Sequence, residues 1–264
     1  MKTRRRLKAA AGLCVAAMFV GGPSTLGQTP SRPAVVDAFG GKRALEEGRG
    51  LLQAERLEDA LAAFRRASAA DPKLLDARVF EAETLFLIER HDEAVRVYEA
   101  VVAADPALAA HLYNFGAALL ALGRPADAKA RFAAMAEKAP KAEARARATF
   151  GVGAALSDLG DEPAARAAWE AALKLDPTLL RAKYRLGVSR IREGVPKSAI
   201  PLLLAVVAAD PFYDGAAYNL ALAYAANGDA TEAAAWRRRF VELKTIKNRI
   251  DGAKLRLKVA PDDL

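Results

Sequence analysis

The sequence predicts an all-α chain built as a stack of helix hairpins, and three observations carry that prediction. About a quarter of the 264 residues are alanine, with abundant Leu, Glu, Arg and Lys and few aromatics; such residues lose little freedom in a helix. Prolines recur at a fixed interval: Pro72, Pro106 and Pro140 stand 34 apart, Pro177 follows after 37 and Pro211 after another 34, and four of the five follow an Asp. With the register set by those prolines alone, the position twelve residues earlier holds Ala60, Ala94, Ala128, Ala165 and Ala199, and Ala233 lies one period further on. At about one alanine in four, six of six has chance odds of roughly one in 4,000.

Residues 113–140, YNFGAALLALGRPADAKARFAAMAEKAP, show the unit. A short helix is expected on either side of the Leu122-Gly123-Arg124-Pro125 break. Gly116 and Ala128 are small where the two helices press together, and Phe115, Leu119, Phe132 and Met135 supply apolar surface at helical spacing. Pro140 closes the unit, because proline lacks the helix donor and pushes the residue before it out of helical geometry. The small position recurs as Gly48, Ala82, Gly116, Gly153, Gly187 and Ala221, and the large one as Phe64, Tyr98, Phe132, Trp169 and Leu203. So short a hairpin cannot bury its apolar face alone and requires neighbours on both sides.

This pattern resembles the tetratricopeptide repeat, and YNFG (113–116), YRLG (184–187) and YNLA (218–221) match it closely. The resemblance implies a right-handed α-solenoid of six helix-turn-helix repeats, 41–74, 75–108, 109–142, 146–179, 180–213 and 214–247, ending in a C-terminal capping helix. Residues 143–145 are an insertion, so the helix opening the fourth repeat is expected to be one turn longer. The sixth repeat departs from the pattern, with Arg237 in the aromatic position and Thr245 in place of proline. A terminal unit has no neighbour and must show a polar face. Arg237, Arg238 and Arg239 fit that face, while Trp236, Phe240, Leu243, Ile246 and Ile250 form an inward stripe at spacings of three or four. Residues 248–264 are read as an extension of the cap and a tail; KLRLKV (254–259) alternates strictly and suits either a strand or a continued helix.

Ahead of the repeats, residues 1–8 are basic and residues 9–22 form an apolar run of fourteen, too short to span a bilayer comfortably. With the small residues Thr25 and Gly27 they read as a signal peptide, residues 1–27, cleaved after Gly27. An uncleaved anchor is the alternative. Leu13 before Cys14 argues against lipid attachment, and Lys8 interrupts a twin-arginine pattern. Residues 28–40 read as a linker. Without the first 27 residues the charge falls from +8 to +3, with 35 basic and 32 acidic groups, so no nucleic-acid partner is expected. Cys14 is the only cysteine, and a chain cut after Gly27 has neither a disulfide nor a thiol. The expected location is exported, in the bacterial periplasm, with no stable membrane anchor after cleavage.

No sequence constellation carries enzyme chemistry. His91, expected in the turn of repeat two, and His111, expected to open the first helix of repeat three, read as surface histidines at no ligand spacing. No nucleophile elbow, phosphate loop or zinc-binding helix motif is present, so no enzyme, metal or cofactor is expected. Acidic pairs read as solvated ends. The basic run Arg237–Arg239 with Lys244, Lys247 and Arg249 reads as a solvated cap more than as a lipid-facing patch.

The resemblance implies that the first helix of each repeat lines a concave groove. Its fifth position is Leu45, Val79, Tyr113, Phe150, Tyr184 and Tyr218, so four successive aromatics would form a ladder there. Arg147, Arg181 and Arg192 surround it, against Glu83 and Asp158, giving a basic tilt toward the C-terminal half. The two-lysine, two-asparagine clamp of some relatives is not recognisable. The expected function is a non-enzymatic scaffold of the bacterial envelope that binds a protein or peptide segment in this groove. Self-association into an envelope assembly is the alternative.

Overall fold

The computed structural model describes residues 37–259. The expected signal peptide, most of the 28–40 segment and the last residues of the tail lie outside them. Among these described residues twelve α-helices follow one another in hairpins: α1 (Ala38–Gln53) with α2 (Leu57–Ala70), α3 (Leu75–Leu87) with α4 (His91–Ala104), α5 (Tyr113–Ala121) with α6 (Pro125–Lys138), α7 (Ala142–Asp158) with α8 (Glu162–Leu175), α9 (Leu180–Arg192) with α10 (Pro196–Ala209), and α11 (Asp214–Ala226) with α12 (Ala230–Val259). Each helix packs on the next in the chain, and first helices of successive repeats also touch, α3 with α5, α5 with α7 and α9 with α11. The fold is an α-solenoid of six hairpins.

Two turn chemistries repeat along it. Inside each hairpin the first helix ends on a left-handed residue, at Glu55, Glu89, Gly123, Gly160, Gly194 and Gly228. Around Gly123 the Arg124 N–H donates to Leu119 O at 2.9 Å and the Gly123 N–H to Leu120 O at 2.9 Å, the paired bonds that satisfy orphan carbonyls at a helix end. Between hairpins, the Asp before proline accepts the N–H two residues on: Lys73 N to Asp71 at 3.0 Å, Ala107 N to Asp105 at 2.9 Å, Thr178 N to Asp176 at 2.8 Å, and Phe212 N to Asp210 at 3.0 Å. That is why Asp precedes four of the five prolines: its side chain turns the backbone where the next residue cannot donate.

The small and large positions meet inside each hairpin. A Cβ built on Gly116 would lie 2.5 Å from Phe132 Cζ, and Gly48 and Gly153 are equally tight against Phe64 and Trp169. Gly187 leaves slightly more room, 2.9 Å to Leu203. Ala60, Ala94, Ala128, Ala165 and Ala199 are fully buried beside them. Phe132 is packed just as tightly on a second glycine: a Cβ on Gly151 of the next repeat would also come within 2.5 Å of its ring.

Departures from the expected plan have local causes. α7 is 17 residues against 13 in α3, α9 and α11, the extra turn supplied by the insertion. α1 starts at Ala38, inside the segment read as a linker, because the Asp37 side chain caps Gly40 N at 2.8 Å. After Asp105 the chain makes a 3-10 turn over Pro106–Ala110, which buries Ala110 and Leu112, so α5 starts only at Tyr113. His111 therefore lies in that connection and does not open the helix. His91 is the first residue of α4 and not a turn residue; it is half-buried, with its ring 5.3 Å from Phe86 and its Nδ1 turned inward.

The cap also differs. α12 is 30 residues long and its antiparallel partner α11 is 13, or about 45 Å against about 20 Å at 1.5 Å per residue. Trp236, Phe240 and Leu243 pack inward while Ile246 and Ile250 stay exposed, because α11 has ended by then. KLRLKV is the continued helix, not a strand. Arg237 and Arg238 are exposed as a polar end requires, and Arg239 is half-buried.

Candidate functional site

The first helices of repeats three to five, with the turn into repeat six, enclose a cavity of about 510 Å³. Tyr113 and Asn114 come from α5, Arg147 and Phe150 from α7, Leu179, Leu180 and Arg181 from the start of α9, and Asp210 and Tyr213 from the turn between α10 and α11. Spacing of three puts Arg147 and Phe150 on one face of α7. Both lie inside α7, as the equivalent Arg181 and Tyr184 lie inside α9. The Tyr113 ring is braced by Phe132, 5.0 Å away, and covered by the Arg147 guanidinium at 5.2 Å, a favourable contact between a cation and a ring face.

On the opposite wall Tyr213 packs against Tyr184 at 4.9 Å. The Tyr184 hydroxyl accepts from Asn219 Nδ2 at 3.2 Å and fits over Gly215, where a Cβ would stand 2.9 Å from it. Burial pushes the Tyr113 hydroxyl up, while Arg181 and Arg147 pull it down. Burial, with Tyr184 and Asp210 adding to it, pushes Tyr213 up, and Arg185 and Arg181 act against that. Both phenols thus stay neutral donors, and Arg181 lies within electrostatic reach of both walls.

Of the residues singled out from sequence, the structure brings Tyr113, Phe150, Arg147 and Arg181 to one cavity. Tyr184 stands behind Tyr213 as its support. Tyr218 is 47% exposed and packs on Phe240 of α12, 5.3 Å away. Arg192 sits at the far end of α9, exposed and 3.8 Å from Glu162. Glu83 is half-buried on α3, with its carboxyl pushed up by burial, and Asp158 is exposed at the end of α7. Sequence reasoning missed Asn114, Leu179, Leu180, Asp210 and Tyr213. Tyr213 had a signal: the column that closes the first five repeats reads Leu74, Leu108, Ala142, Leu179 and then Tyr213, an aromatic where the others are aliphatic.

Among the described residues no three His, Cys, Asp or Glu side chains converge, and no helix is long and apolar enough to cross a membrane.

A family model described as tetratricopeptide repeat matches residues 45–109, 153–214 and 184–245, together more than half of the chain. Solved structures share the fold. PilW, a widely conserved type IV pilus biogenesis factor, is 19% identical with a TM-score of 0.68, over 78% of this chain and 97% of that one. PilF of Pseudomonas aeruginosa is 18% identical with a TM-score of 0.69, over 82% and 98%. YrrB, a TPR protein with an unusual peptide-binding site, is 19% identical with a TM-score of 0.52, over 69% and 93%. A search of curated proteins found no match.

Proposed function

The chain belongs to the tetratricopeptide repeat family, and from that premise we propose that it is a non-enzymatic scaffold that holds a protein or peptide segment in its groove. The observation that carries this reading is the 510 Å³ cavity, lined by rings and unburied guanidinium groups from three successive first helices. Aromatic side chains offer large contact area at low entropy cost, and arginine adds directional donors. The peptide-binding site of YrrB supports the class of ligand. The same reading takes residues 1–27 as an export signal and the bacterial periplasm as the compartment, on the strength of the basic start and the short apolar run.

A photocrosslinking side chain placed at Leu180 or Asn114 in cells should give a discrete adduct larger than the protein. The same group at Ala133, exposed on α6, should give none. Adducts from Ala133 alone would move the binding surface off the groove. Intact mass of protein from the envelope fraction tests export: the expected chain lacks about the first 27 residues.

Self-association is the second reading, favoured by Val241, Ile246 and Ile250, which α12 leaves exposed. Light scattering that grows with concentration, together with adducts of twice the chain mass from position 246, would select it.

A further inference from the structure

Resting on the groove as the binding surface, we infer that the segment it holds is acidic: side-chain carboxylates seated on Arg147 and Arg181, with a neighbouring aromatic or aliphatic side chain in the cavity beside Phe150. Among the described residues some arginines are ion-paired and others, such as Arg78, Arg96 and Arg131, are not; Arg147 and Arg181 are set apart because they are unpaired and both line the aromatic cavity. Arg65 reaches Glu81 at 3.0 Å and Glu93 at 3.1 Å, Arg66 reaches Glu47 at 2.8 Å, and Arg190 reaches Glu193 at 2.8 Å and also Glu170. Among the described residues, Arg147 and Arg181 have no carboxylate within 4.0 Å. Each therefore presents a planar fork of donors suited to a carboxylate.

The repeat register sharpens this. Arg147 and Arg181 hold the same position of consecutive repeats, 34 residues apart, and the equivalent positions on either side are Ala110 and Gly215. At this register position the two guanidinium groups fall side by side on the middle repeats, flanked by small uncharged residues. Asp210 is the one acid on the cavity wall, and its Oδ1 already accepts the Phe212 N–H at 3.0 Å. It disfavours a ligand carboxylate on its own side and so directs the acid toward the two arginines. A basic segment would face two guanidinium groups against one carboxylate, and a neutral one would leave both forks unpaired.

The test is selection of short random peptides displayed on phage against the purified chain, followed by fluorescence anisotropy on synthetic copies of the selected sequences. Selected peptides should place Asp or Glu next to Phe, Trp or Leu. Replacing their acids by Asn and Gln should weaken binding about ten-fold or more, and Arg147→Gln with Arg181→Gln should do the same. The lysine pair, Arg147→Lys with Arg181→Lys, should retain most of the affinity, and raising the salt should weaken it. Melting followed by circular dichroism checks that each variant is folded. Neutral or basic selected peptides that lose affinity on Tyr213→Ala would overturn the acidic specificity and leave the groove reading standing. Peptides indifferent to Tyr213→Ala and to both arginine variants, or no selected peptide at all, would overturn both.

Discussion

The same substitution, glycine to alanine, should have opposite effects at two helical positions. Gly50 of α1 has nothing within 4 Å of where a Cβ would stand. There Gly50→Ala gains only the helix preference of alanine, about 1 kcal/mol, worth roughly 2–4 °C in melting temperature for a chain of this size. Gly116 gains the same preference but places its Cβ 2.5 Å from Phe132 Cζ. The ring has little room to give, because it is packed just as tightly on Gly151, where a Cβ would stand 2.5 Å from Phe132 Cδ1. With the ring set against two glycines, the overpacking cost belongs near the top of its usual range, about 3 kcal/mol, for a net loss of about 2 kcal/mol after the helix gain. Repeat two solves the problem differently: Ala82 faces Tyr98, whose ring stacks on Phe115 at 5.3 Å and not on a glycine backbone. Thermal and urea melts of the two single variants give the difference directly. Adding Phe132→Leu to Gly116→Ala should recover part of the loss, since leucine fills this position in repeat five. A Gly116→Ala protein that melts at or above the wild type would refute the wedge as the reason for the glycine.

Two further outcomes follow from the turns. Glu89 is held at φ 62° where four of the six repeats use glycine, so Glu89→Gly should stabilise by about 0.5 kcal/mol, the left-handed strain relieved less the entropy glycine adds to the unfolded chain; a lower melting temperature would count against it. Asp176 accepts from Thr178 N at 2.8 Å and Thr178 Oγ1 at 2.6 Å, and these bonds hold its carboxyl below the usual carboxylate range. A lowered folded value means that the stability it gives is present above about pH 4 and is lost as pH falls through that folded value. The gap in melting temperature between wild type and Asp176→Ala should therefore shrink between neutral pH and about pH 2; a gap that stays constant would assign the effect to shape alone.

The hairpins were legible because each is local: sixteen residues separate Gly116 from Phe132, and their sizes can be matched by eye along the chain. The extra turn of α7 was legible as a count. The 3-10 turn after Asp105 was not, since Asp-Pro starts four connections in the same way and the alanine-rich stretch that follows suits either helix. The reach of the inward stripe on α12 failed for another reason. Helical spacing says which residues share a face, and not where the partner helix stops. The cavity was half legible: repeat position gave Tyr113, Phe150, Arg147 and Arg181. Tyr218 and Arg192 hold repeat positions too, but which positions meet depends on the curvature summed over several units, and no single repeat encodes that sum.

The residues that line the cavity all fall between Tyr113 and Tyr213, within repeats three to five, and each unit rests on its immediate neighbours. The chain is therefore modular in one direction only. A duplicated or deleted unit among the first two repeats changes the length of the rod and leaves the cavity intact. The same event inside 113–213 separates the two arginines or removes a wall. Gene-level slippage, the ordinary route by which repeat arrays grow and shrink, is thus free to act at the amino-terminal end and barred from the centre, so lineages of this protein should differ in length before Tyr113 and agree in spacing after it.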